Sequence, residues 1–212
     1  MPTQLTLYNN ALMLLGERSL ASLSEAREVR RRLDTVWARP AIDDCLQRGQ
    51  WKFAIRSVEA EPTPSVDPSF GYQYAFDRPA DLVRTTAVCS DEYFTQPLLE
   101  YQSEGAYWFA DVSPLYLRYV SNGNSYGGNL SLWPPNFTRF VEAYLAESIV
   151  EAVTADKEIW QKVRAVMREC LTLAQSTDAM EGPTQMPPEG SWVSARRGNT
   201  LRDRGRRGQL IG

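Results

Sequence analysis

Hydrophobic periodicity changes twice along the 212 residues, and this constrains the fold more than any other feature of the sequence. At the N-terminus, Leu5, Tyr8, Leu12 and Leu15 recur at helical spacing, with Gly16 as a natural stop. Ser22 and Glu25 have capping-box spacing, which predicts a second helix over about 25–48. Ala26, Val29, Leu33, Val36, Trp37 and Ala41 mark its buried stripe, and Arg27, Arg30, Arg31, Arg32 and Asp34 much of its wet face. Pro40 should kink or split it. The period then falls to two. Trp51, Phe53 and Ile55 alternate with polar neighbours, as do Tyr72, Tyr74 and Phe76; Val83, Thr85 and Ala87; and Leu115, Leu117 and Tyr119. Weaker strand patterns lie over Phe94–Tyr101 and Tyr107–Phe109. Sixteen of the 23 aromatic residues fall between Trp51 and Trp133, which predicts a small sheet or sandwich with an aromatic core.

Helical spacing returns after Pro134 and Pro135. Phe137, Val141, Tyr144, Leu145, Ser148, Ile149 and Ala152 share one face, and Ile159, Val163, Val166, Met167, Cys170 and Leu173 form a second stripe. These two stripes predict either two helices joined through 154–157 or one long bent helix. The expected fold class is α+β. An antiparallel bundle is built from two N-terminal helices (1–50) and two C-terminal helices (134–179). A small antiparallel β module (51–133) is inserted between them, and an extended arm (180–212) follows.

Composition removes several chemistries. With no histidine, the Ser-His-Asp and Cys-His mechanisms and imidazole metal sites are excluded. Cys45, Cys89 and Cys170 are far apart and odd in number, which argues against a disulfide framework and fits a reducing compartment. No apolar run approaches 18 residues and no signal peptide is evident, so a soluble chain made inside a cell is expected, without a membrane partner.

Charge is uneven. Residues 196–212 hold six Arg and one Asp, while the rest of the chain carries a net −8. Arginine, at 20 residues against 3 lysines, suits bidentate docking on carboxylates or phosphates. The acidic body and the lack of aromatic residues after Trp192 disfavour nucleic-acid binding by the whole molecule. Asp43 with Asp44, Asp91 with Glu92, and Glu147 with Glu151 are the carboxylate pairs that a glycan hydrolase would need. The first pair should point apart and the last should lie on a solvated face. The 123–129 stretch, GNSYGGN, has glycines but lacks the phosphate-loop lysine, so a surface loop is expected.

Three stretches carry a family resemblance. LYNNALMLLGERSL (7–20), followed by ASL, resembles the opening helix and turn of the tail tubular protein A family of head-to-tail adaptors from short-tailed phages. ARPAIDDCLQRGQWKFAIRSVE (38–59) is similar to that family's helix, Gly, Trp and Phe-Ala junction into the first strand. YQYAFDRPADLVRTTAV (72–88) looks like its aromatic strand, Pro-Ala-Asp turn and next strand. The resemblance implies a structural virion protein at the head–tail junction, assembled in the host cytoplasm. Such proteins form a ring, commonly twelvefold, beneath the portal protein. They extend the DNA channel and carry the tail nozzle (a tail tubular protein B-like protein) and sometimes fibres. Family members have no cofactor, metal or catalytic residues, and genome DNA passes through the lumen without specific binding. Two sets of contacts are expected on this basis. Trp192, Arg196, Arg197, Arg202, Arg204, Arg206 and Arg207 would dock the arm on the portal or a neighbour, and Arg27, Arg30, Arg31 and Asp34 would serve lateral ring contacts.

Overall fold

Thr3 opens the first helix because its hydroxyl can accept a bond that the first turn leaves unmade. In the computed structural model, which describes residues 1–68, 71–154 and 156–182, α1 spans Gln4–Leu14. The Thr3 hydroxyl accepts from the Thr6 amide at 3.2 Å, and the Thr6 hydroxyl accepts from the Thr3 amide at 2.8 Å. At the other end, Gly16 takes φ +73°, its amide donates to Met13 O, and the Glu17 amide donates to Leu12 O. This left-handed glycine closure satisfies two carbonyls that the last turn would otherwise leave open.

The next helix starts later than the capping-box spacing predicts. Glu25 closes a turn instead, its carboxylate accepting from the Ala21 amide at 2.8 Å. Arg27 is extended, and α2 covers Glu28–Ala38. Pro40 splits the expected long helix: Arg39 is driven to an extended conformation, and α3 restarts over Ala41–Gln47.

The strands are β1 (Ile55–Ala60), β2 (Tyr74–Asp77), β3 (Leu82–Cys89), β4 (Tyr101–Glu104), β5 (Tyr107–Ala110) and β6 (Leu115–Ser121). They form two three-stranded antiparallel sheets, ordered β1-β6-β3 and β2-β5-β4. Register runs from Ile55 opposite Val120 to Ala60 opposite Leu115, and β3 is shifted at two points along β6. Between the sheets, Phe76, Val88, Trp108, Leu115, Leu117 and Tyr119 form one core. Val120, on the opposite face of β6, belongs to the larger helical core. The central strand therefore contributes to both cores, which is why its last three residues are all buried.

Two strand expectations are corrected. Residues 52–54 form a 3₁₀ turn rather than a strand, because Trp51 leaves the sheet to enter the helical core. Within Phe94–Tyr101 only Tyr101 is in a strand; the rest is a folded loop.

α4 (Pro135–Val153) begins with proline at its first position. Phe137, Phe140, Val141, Ala143, Leu145, Ala146, Ile149 and Val150 are buried around its whole circumference, whereas Ser148 and Ala152, expected on the buried face, are exposed. Burial on all sides follows from its position, since α1, α2, α3 and α5 all pack against it. α4 ends at extended Thr154, and Asp156 caps α5 (Lys157–Met180) by accepting from the Glu158 amide at 2.8 Å. Asn136, at the start of α4, donates to Thr177 near the end of α5 at 2.9 Å, so the two run in opposite directions. The described residues thus form a mixed α+β structure of five helices and two small antiparallel sheets.

Trp51 joins the parts. Its indole N–H donates to Cys45 O at 3.1 Å, and its ring lies 4.8 Å from Phe137 and 6.3 Å from Phe140, centroid to centroid. Gly49 is obligatory beside it, because a Cβ there would come within 2.6 Å of the indole. Trp51→Ala should lower unfolding free energy by about 3–5 kcal/mol in urea titrations, whereas Leu99→Ala, at a surface site, should change it by less than about 0.5 kcal/mol.

Candidate functional site

A polar cluster linking three strands' ends is centred on Asp81, in the turn between β2 and β3. Its carboxylate accepts from Arg56 Nη1 at 2.9 Å, from the Tyr119 hydroxyl at 3.0 Å and from the Ser121 hydroxyl. Burial raises its pKa, but these bonds outweigh burial and the net shift is downward. The neighbouring Tyr119 phenol is pushed up to about 12, by burial first and then by Asp81. Ser121 is fully buried, so its hydroxyl cannot reach a substrate. The Asp81 carbonyl accepts from the Asn122 amide at 3.0 Å, and Ser121 Oγ accepts from Gly123 N at 3.0 Å. The cluster is a joint that fastens the glycine-bearing 122–129 loop to the end of the first sheet.

The carboxylate pairs separate. Asp43 accepts from Asn122 Nδ2 at 2.9 Å, while Asp44 accepts from the Tyr144 hydroxyl at 2.8 Å, on a different helix. Glu147 is half-buried rather than fully solvated, and Glu151 is exposed. Asp91 is occupied within its own loop.

Three of the four residues assigned to lateral contacts are tied up within the chain. Arg27 donates to Arg18 O at 2.7 Å and pairs with Glu17 at 3.4 Å. Arg30 pairs with Asp34 and donates to Leu23 O at 3.2 Å, and Asp34 also accepts from the Tyr8 hydroxyl at 3.2 Å. The Arg30 side chain is only 21% exposed, which corrects its place on the wet face. These residues brace α2 against the 17–24 loop and α1. Arg31 alone remains exposed. Trp192, Arg196, Arg197, Arg202, Arg204, Arg206 and Arg207 lie outside the described residues.

Two surface features escaped the sequence reading. The first is the finger between β3 and β4. Asp91 accepts from Thr95 Oγ1 at 2.6 Å, Thr95 N at 3.0 Å and Gln96 N at 2.8 Å, and the Thr95 hydroxyl above all holds its carboxyl below the usual range. Ser90 N donates to Gln96 O, and Leu98 N to Val88 O, which closes the base. Phe94 takes φ +57°, a left-handed conformation that costs a non-glycine residue about 1–3 kcal/mol. The Arg118 guanidinium covers its ring at 4.0 Å from the centroid. This fixed loop presents Tyr93 at 77% and Leu99 at 87% exposure. Residues 90–104 hold four carboxylates and no basic side chain.

The second feature is a cleft of about 510 Å³ lined by Arg48, Trp51, Lys52, Arg84, Gln175 and Asp178, among others. Arg84 donates to Gln47 O at 3.2 Å, Arg48 stacks on the Tyr144 ring at 5.1 Å, and Lys52 Nζ donates to Asp178 O and to Ala179 O. Among the described residues, none of these three cations forms a salt bridge to a carboxylate. Burial raises the Asp178 pKa, partly offset by the bond from the Lys52 amide. The run of acids around Tyr93 was visible in the sequence. The cleft was not, because its basic residues come from two separate segments, 48–52 and β3, and its carboxylate from a third, α5.

The chain matches no family model and no curated protein.

Because the fold favours ionised Asp81, the stabilisation it contributes is complete above the unfolded carboxylate pKa and is lost as pH falls through the lower folded value. Asp81→Asn should therefore unfold at lower urea than the parent chain at pH 7. The gap between the two should close as pH is lowered from about 4.

Proposed function

We propose that the chain is a structural virion protein, a head-to-tail adaptor that assembles as a ring beneath the portal of a short-tailed phage. One observation carries this reading: the three stretches that resemble the adaptor family supply the joints of this fold. In 7–20, the Asn9 side chain clamps Leu20, accepting from its amide at 2.7 Å and donating to its carbonyl at 3.1 Å, across the Gly16 turn. In 38–59, Trp51 links the helical core to β1. In 72–88, Asp81 fastens the first sheet to the 122–129 loop. Residues with such specific partners resist substitution, and that is where a distant resemblance would persist.

On this reading the helices form one bundle interrupted by the β module, and 180–212 is an extended arm. The arm of 33 or so residues could span about 100 Å, against a gyration radius of about 16 Å for the body. It is therefore long enough to reach the portal or a neighbouring copy, where its arginines would pair with carboxylates. Repetition around a ring strengthens each weak contact. An acidic body suits a lumen that passes DNA without gripping phosphate. The nozzle and fibres would attach below.

Mass photometry of the protein alone and mixed with portal rings tests the reading. The expected result is a ring-sized gain in mass on the portal. No association, together with salt-sensitive binding to free duplex DNA, would replace it with a nucleic-acid-binding protein acting through the arginine tail. Deleting 191–212 should abolish portal docking and leave the circular dichroism melting curve of the body unchanged; a truncated chain that docks at the parent affinity would refute the arm's role.

A further inference from the structure

The finger and the cleft lie at opposite ends of β3. Arg84, near the start of the strand, bonds to the end of α3 at Gln47 O, and Cys89 leads directly into the finger. The five residues between them place the two features roughly 15–20 Å apart at about 3.3 Å per residue. One is acidic with two bare apolar side chains. The other is concave and holds three cations against one carboxylate.

We propose that the finger of one copy of this chain seats in the cleft of the next, with Tyr93 entering the cavity and Glu92 and Glu100 meeting Arg48 and Arg84. The proposal rests on the ring reading only for the expectation that copies meet at all. Three observations select a second copy as the occupant. The charges are complementary, and among the described residues Arg48, Lys52 and Arg84 are bonded to carbonyls or stacked on a ring rather than paired with a carboxylate. The finger is held rigid by the Asp91 bonds and by the Phe94 conformation, so little entropy is lost on docking. The two surfaces also differ and sit apart on the same molecule. Such a contact is heterologous, each copy giving a finger and receiving one, which is the arrangement that closes into rings. A tyrosine anchor ringed by charge is typical of residues that dominate interface energy. A single finger is too small to hold a dimer on its own, since stable interfaces bury roughly 1,200–2,000 Å². The contact should be weak in a free pair and strengthened by ring closure.

The test uses the full chain carrying a photo-cross-linker, Tyr93→p-benzoylphenylalanine, mixed with isotope-labelled parent chain at high micromolar concentration. Mass spectrometry should find cross-links between differently labelled copies, at peptides containing Arg48–Lys52 or Arg84. Adding Glu92→Lys and Glu100→Lys to the cross-linker chain should lower the yield about tenfold or more. Reversing Arg48→Glu and Arg84→Glu in the labelled copy should restore it. All of these positions are exposed, and unchanged melting curves would verify folding. Three results overturn the proposal: no cross-link between copies, a cross-link on another surface or on residues 183–212, or charge reversal without rescue. Each is distinct from failure to assemble on portal rings, which tests the adaptor reading and leaves this contact standing or falling separately.

Discussion

Burial of Trp51 is the interaction on which the rest of the structure depends. Its ring is wedged among Phe53, Phe137 and Phe140, and its one polar group is satisfied by the carbonyl of Cys45. A buried indole N–H without a partner would be costly, so the hydrogen bond sets the ring's orientation as well as its depth. This single side chain sets where α3 ends, where β1 begins and how α4 lies beneath both. The requirement for glycine at position 49 follows directly, because the chain must pass within contact distance of the indole face.

Around this wedge the molecule divides its apolar material between two cores that share β6. The helical core surrounds α4, and the smaller one fills the space between the sheets. The strand that serves both cores is also where polar constraint concentrates. Tyr119 and Ser121 reach Asp81, and Arg118 reaches Ser57 at 3.3 Å and the Phe94 ring. Packing and hydrogen bonding therefore act on the same element, so the β module is held to the helices by more than the covalent connections at its ends.

Charge is used in two ways. On α2 and around Asp81, opposite charges are paired inside the chain and hold loops to helices and strands. On the finger and in the cleft, the charges are left without opposite partners among the described residues, and on the finger apolar side chains stand exposed beside them. Backbone strain occurs at the same place, with Phe94 as the one described non-glycine residue at positive φ. Strain and exposed apolar area both oppose stability, and their coincidence on one short loop points to a surface kept for contact rather than for folding.

Periodicity alone determined the order of helices, strands and helices, the end of α1 at Gly16, the break at Pro40 and the start of α4 after two prolines. These are local properties, governed by backbone sterics and by a repeat of 3.6 or 2 residues. The absence of histidine and the uneven charge were equally plain, and so was a family-like pattern in three stretches. Only the tertiary structure decided that Trp51 leaves the strand pattern for the helical core, that α4 has buried residues around its whole circumference, and that Arg30 is enclosed rather than wet. Each of these depends on what packs against the residue from distant parts of the chain, which no local repeat encodes. The same reason hid the cleft. Arg48, Lys52 and Arg84 become neighbours of Asp178 only when α3, β3 and α5 meet around Trp51.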